Sequence, residues 1–246
     1  MDLNKFFKFL NMYCIIDITI IIIYDVLAYF IHNMNMPYNF YPYITDDINN
    51  PLRNGNSSDN WAIILVFVFL LIIATIWISN RFDLTILKLI TSYLSAISLT
   101  CLISVILQRL IARPRPDTIA KCGKIENCKS VLSKSDYIDQ FMSLPSCSSA
   151  YTMTGGIFTS LFFEDIWTSS SMFSVFFKFM PICVPLIVGS DEITRRYSRI
   201  DDVLMGYVIG LIVGYITYKS FIKSCDFGGK LTKRYHLNHD MLLINQ

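Results

Sequence analysis

The sequence predicts an all-α membrane protein, a polytopic bundle of six transmembrane helices. Three observations carry that prediction. Of the 246 residues, 53% are hydrophobic and the mean hydropathy is +0.46, too apolar for a water-soluble domain of this size. Runs almost free of charge recur at about the 20-residue length that a helix needs to cross a hydrocarbon core. The charged residues gather between those runs, in three loops that six spans would place on one face.

The first span is expected over residues 13–31; it carries Asp17 and Asp25, which in lipid must face protein or water. Only Lys5 and Lys8 precede it and no small-residue cleavage pattern follows, so it reads as an uncleaved span rather than a removed signal peptide. The second and third spans are 61–79 and 89–107, the latter uncharged and preceded by Arg81, Asp83 and Lys88. After Pro145 a short fourth helix is expected from near Ser148 to Phe163. The fifth, 172–190, holds Lys178, Pro181 and Pro185, which a membrane helix accommodates by kinking and by snorkelling of the lysine. The sixth, 203–222, carries Gly206, Gly210 and Gly214 at spacing four, a flat face for close helix packing.

No linker or repeat divides the chain, so residues 1–246 read as a single membrane domain with a basic, polar tail over 223–246. An even number of spans puts both termini on one side. The 21 lysines and arginines divide almost evenly between the two faces. Setting aside the basic residues of the third and fifth loops as phosphate-site candidates places the termini in the cytoplasm and those loops in the lumen or outside. Asn56-Ser57-Ser58 in the first loop is then a glycosylation candidate at Asn56. In the third loop, Cys122 and Cys128 are the disulfide candidate, with three free thiols including Cys147 as the alternative. His236 and His239 in the tail lack the further ligands a metal site would want, and no metal, cofactor or nucleic-acid partner is expected.

The third loop opens on Gln108-Arg109-Leu110-Ile111-Ala112-Arg113-Pro114-Arg115-Pro116-Asp117. Three arginines at a membrane boundary have two readings: basic flanking residues that snorkel, or guanidinium groups that grip a phosphate by paired hydrogen bonds. Two further segments decide how they are read. Leu144-Pro145-Ser146-Cys147-Ser148-Ser149-Ala150 opens the fourth span, and Asp202-Val203-Leu204-Met205-Gly206 opens the sixth. In order, spacing and placement at span ends, the three resemble the signatures of the type 2 phosphatidic acid phosphatases, the lipid phosphate phosphatase and vanadium haloperoxidase-like superfamily. The resemblance covers about 38–220, including a first loop with Asp46, Asp47 and Pro51.

That resemblance implies a membrane phospholipid or lipid phosphate as partner. It also implies a mechanism with a histidine nucleophile oriented by an aspartate, a second histidine as general acid, and a lysine, arginines and serine on the phosphoryl oxygens. Carried over position by position, the nucleophile falls on Ser198, the general acid on Ser148 and the orienting aspartate on Asp202. The phosphate-binding positions fall on Gln108 (for lysine), Arg115, Ser146, Cys147 and Glu192 (for arginine), with Arg109 and Arg113 close by and Arg195 or Arg196 as further substitutes. A serine paired only with a carboxylate is a weak nucleophile. The expectation is therefore a catalytically defective relative that binds a lipid phosphate or scaffolds other membrane proteins through its glycine-rich sixth span. The alternative is an active lipid phosphatase or phosphotransferase using Ser148 and Ser198.

Overall fold

The computed structural model describes residues 3–34, 59–79, 85–166 and 171–225. Asn56, the tail histidines His236 and His239, and most of the first loop lie outside them. Every regular element among the described residues is helical. Among the described residues six long helices run in chain order: α1 (Leu3–Asn33), α2 (Asp59–Ser79), α3 (Thr85–Ile111), and then, after three short α-helices and a 3-10 turn (Ile125–Asn127), α7 (Cys147–Ile166), α8 (Met172–Thr194) and α9 (Ile200–Cys225). The short ones, α4 (Thr118–Cys122), α5 (Cys128–Val131) and α6 (Lys134–Gln140), structure the third loop.

Four stretches are long and apolar enough to cross a membrane: Ile15–Asn33, Lys88–Ile111, Met172–Thr194 and Ile200–Ser220. The apolar stretch of α2 is shorter, Ala62–Ile76, and α7 is not among the four. The reason α7 differs is its place in the bundle. It packs against α2, α3, α8 and α9, while α1 lies against α3. A central helix meets protein on most sides, so it tolerates Ser148, Ser149, Thr152, Thr154, Gly155, Gly156 and Thr159, all buried. Their hydroxyls are satisfied locally: Thr152 and Thr159 donate to the carbonyls four residues back, and Thr154 meets Thr100 of α3 at 2.8 Å.

Around α7 the apolar core is aromatic. Tyr93, Phe158 and Tyr218 stack edge to face with centroids 5.3 and 5.0 Å apart, and the two phenols donate to the Val66 carbonyl and to Asp165. The outer faces of α1, α8 and α9 expose Ile22, Phe176, Ile187, Leu211 and Ile216, as a lipid-facing surface does. On α1, Asp17 accepts from the Thr91 hydroxyl of α3 at 3.4 Å, whereas Asp25 is exposed.

The glycine stripe of α9 corrects one expectation. Cβ atoms built at Gly206, Gly210 and Gly214 would meet the Ser146, Ala150 and Thr154 carbonyl oxygens of α7 and its approach at 2.6, 2.3 and 2.9 Å. The flat face is consumed inside the bundle, backbone against backbone, and is not offered to other proteins.

Two loop boundaries also move. The α8 helix continues to Thr194, so the fifth loop shrinks to residues 195–199, and α7 begins at Cys147 under the cap of Ser146, whose hydroxyl accepts from the Ser149 N–H. In the third loop Cys122 and Cys128 form a disulfide, both buried in a small cluster with Phe141. Closing so short a loop contributes about 2 kcal/mol in the chain-entropy account. Cys122→Ser with Cys128→Ser is expected to raise hydrogen exchange across α4 and α5 and to lower the melting temperature by a few degrees, leaving the bundle intact. Loss of the whole helical signal would contradict that.

Candidate functional site

The motif segments meet at one end of the bundle, where α1, α3 and α8 finish and α7 and α9 begin. The chain leaves α3 through Ala112 in the left-handed region, φ 47°, and the prolines that follow keep it extended. Arg115 then returns to the protein: its N–H donates to the Gln140 carbonyl, its guanidinium to the Asp139 carbonyl at 2.8 Å and the Asp139 carboxylate at 2.8 Å, and to the Tyr197 carbonyl at 3.3 Å. Arg113 turns the other way and pairs with Asp201 and, at 3.1 Å, with Asp202.

Asp202 organises the opening of α9. Fully buried, it accepts from the Ser143 hydroxyl at 2.5 Å, from Arg113, and from the Arg199 N–H at 3.0 Å. The last bond is the return half of a capping box, in which the carboxylate of the third helical residue satisfies the N–H of the capping residue. Its backbone carbonyl also accepts from the Ser146 N–H at 3.0 Å, which stitches the second motif to the third. The carboxylate thus holds loop backbone and Arg113, and no hydrogen bond joins it to Ser198 among the described residues.

Beside this knot lies a cavity of about 180 Å³. Ser148 and Ser198 both line it, as do Gln108, Arg115, Ser146, Cys147 and Glu192. Asp202, Arg109 and Arg113 stand outside the lining. Arg195 is paired with Asp191 one helical turn earlier, Arg196 is exposed, and neither reaches the cavity, so the expected substitution of these arginines for lost phosphate contacts does not occur. Arg109 is buried with no hydrogen-bond partner for any guanidinium nitrogen among the described residues.

Two positions carry the chemistry of the cavity. Gln108 donates its amide to the Pro145 carbonyl at 2.7 Å, so it holds the second motif rather than presenting a charge. Glu192, 1% exposed, accepts from the Ser146 hydroxyl at 2.5 Å and the Ser149 hydroxyl at 3.1 Å. Its carboxylate therefore already occupies the Ser146 hydroxyl, a donor on the cavity wall that could otherwise face a phosphoryl group.

The PAP2 superfamily model matches residues 86–225, more than half of the chain. This chain belongs to the PAP2 superfamily. It is also similar, at 22% identity over 154 residues, to a protein of Schizosaccharomyces pombe described as "Probable diacylglycerol pyrophosphate phosphatase 1"; the match covers 56% of this chain and 52% of that protein. The chain thus spans about half the length of that relative. No solved structure matches. Family membership and the four apolar helices make this an integral membrane protein.

Within the PAP2 frame, the cavity wall contains residues that motif reading missed: His32, Asp139, Tyr151 and Tyr197. His32 comes from the last turn of α1, ahead of the region matched by the family model. The one available signal was position, since a span-end histidine on the motif-loop side has a route to the site that the tail histidines were not expected to have.

Proposed function

We propose that this chain is a lipid-phosphate-binding membrane protein of the PAP2 superfamily in which family-type phosphohistidine turnover is lost. The observation that carries the reading is Glu192. Where the family's motif calls for an arginine, a buried carboxylate takes the hydroxyls of Ser146 and Ser149. A carboxylate there opposes the charge that builds up on a phosphoryl group in transfer, the reverse of what catalysis asks. Both histidine positions are serines, and neither has an imidazole within its motif.

A lipid phosphate is favoured as ligand by the membrane setting, by Arg115 on the cavity wall, and by the name of the yeast relative. We place both termini in the cytoplasm and the motif loops in the lumen or outside. The Cys122–Cys128 disulfide, which an oxidising compartment favours, supports that orientation. The chain is read as one membrane domain. A second reading, an active lipid phosphate phosphatase or phosphotransferase with an altered site, draws on the two serines it needs, Ser148 and Ser198, lining a single cavity.

Phosphate release separates the two. The purified protein is expected to release no more phosphate from phosphatidate or diacylglycerol pyrophosphate than a Ser148→Ala, Ser198→Ala double variant, which controls for contaminating phosphatase. Release well above the double variant would overturn the defective reading in favour of the second.

A further inference from the structure

His32 is the one histidine among the described residues, and its placement is not what a bland span-end residue would show. Half-buried at the end of α1, it shares a cavity wall with Ser148, Ser198 and Arg115. Val105 and Met142 also line that wall, and Ile31, the residue before it, packs against them. The imidazole is thus held by packed helices rather than hanging from a free loop.

The charges that face it come from every element around the cavity. Arg109 of α3 and Asp139 at the end of α6 both act on the imidazole electrostatically, with opposite sign. Arg115 and Glu192 share its cavity, and Tyr151 and Tyr197 are the other titratable groups on the wall. Asp139 is paired with Arg115 at 2.8 Å, which cancels those two charges locally. Glu192 is engaged by the Ser146 and Ser149 hydroxyls. On the cavity wall His32 is then the one group besides the Asp139-paired Arg115 that can turn a positive charge toward an anion, and it does so only when protonated. Imidazole is the side chain that ordinarily gains its charge on mild acidification, so this charge is available on the acidic side and lost on the basic side.

We propose that His32 is the phosphate-contacting cation of this cavity, supplying from α1 the charge that Gln108 and Glu192, at the family's lysine and arginine positions, do not supply. The ligand is a phosphomonoester or phosphate anion, held when His32 is protonated and released as it loses its proton. This rests on the lipid-phosphate-binding reading above and adds to it the residue and the proton linkage. The net bond is a charge-assisted N–H···O contact from imidazolium to phosphate, stronger than a neutral one.

The test is binding of dioctanoyl phosphatidate, and separately of inorganic phosphate, to the full chain in detergent at pH 5.5 and pH 8.0. Wild type, His32→Ala and His32→Arg are compared, with thermal melts confirming that each is folded. The ligand's own ionisation affects all three proteins alike, so the ratio to His32→Ala reads the imidazole. Wild type is expected to bind about tenfold more tightly than His32→Ala at pH 5.5 and about equally at pH 8.0, the order expected for one hydrogen bond to a charged group. His32→Arg is expected to bind tightly at both. If inorganic phosphate shows the same dependence, the ion itself is the ligand; if only phosphatidate does, the lipid is, and the proposal stands in either case. Phosphatidate binding that His32→Ala leaves unchanged at both pH values would overturn the role of His32 and leave the binding reading intact. Failure of wild type to bind either probe would overturn the binding reading and this inference with it.

Discussion

Gly210→Val is expected to yield no monodisperse folded protein in detergent. A Cβ at Gly210 would lie 2.3 Å from the Ala150 carbonyl oxygen, 2.8 Å from the Met153 Cβ and 3.0 Å from the Thr154 nitrogen. Two of these are backbone atoms of α7, so no rotamer change relieves the clash and the two helices must separate. Overpacking costs about 1–3 kcal/mol where side chains can adjust, and more is expected where they cannot. Separation would also break the Ser146 N–H to Asp202 carbonyl bond and disassemble the cavity end. Leu211→Val, one residue along on the lipid-facing side, is the control and is expected to be silent. The measurement is size-exclusion profile and melting temperature for both; a Gly210→Val protein that melts like wild type would mean that α9 does not pack on α7 through this stripe.

Asp202→Ala is expected to destabilise the protein by about 3–5 kcal/mol, the range for removing one partner from a buried ion pair. Removing it strands the Ser143 hydroxyl and the Arg199 N–H, and takes one of its two carboxylates from the Arg113 guanidinium. Asp202→Asn keeps an acceptor and a similar shape, and should lose roughly half as much. Ser198→Ala should lose almost nothing, because no hydrogen bond joins Ser198 to Asp202 among the described residues. That contrast in melting temperature matters for function. An aspartate whose job is to orient a nucleophile would show its loss in turnover, whereas this one should show it in stability. Equal melting temperatures for Asp202→Ala and wild type would remove Asp202 from the structural role assigned here.

Much of the fold was legible because hydrophobic length is a local property. Five of the expected spans stand as long helices within a few residues at one or both ends, and α1 extends N-terminally from residue 13 to Leu3. The ends that moved did so for tertiary reasons. The α8 helix runs on through Asp191 and Glu192 because the polar end of the bundle receives their carboxylates, one by Arg195 and the other by Ser146, which caps α7, and Ser149 within it. Residues whose roles depend on a partner from another element were less legible. Arg113 reads as a phosphate ligand in sequence, yet it pairs with two aspartates 88 and 89 residues away. The α9 glycines read as a face for close helix packing, which they are, but only the fold shows that α7 is the helix packed on it.

The sequence by itself determined that this is an all-α membrane protein of the PAP2 kind, and that its motif positions carry serines, a glutamine and a glutamate where the family's histidines, lysine and arginine would stand. Those properties belong to residue identity and spacing, which need no fold to be read. Only the tertiary structure decided which groups share the cavity. His32 lies 116 positions before Ser148 and outside every motif, and it reaches the site because α1 packs along α3 and ends level with it. Glu192 likewise became an occupant of the serine donors, rather than merely a missing arginine, through the packing of α8 against α7. Long-range juxtaposition follows from helix packing, and packing is decided by all the faces of the bundle together.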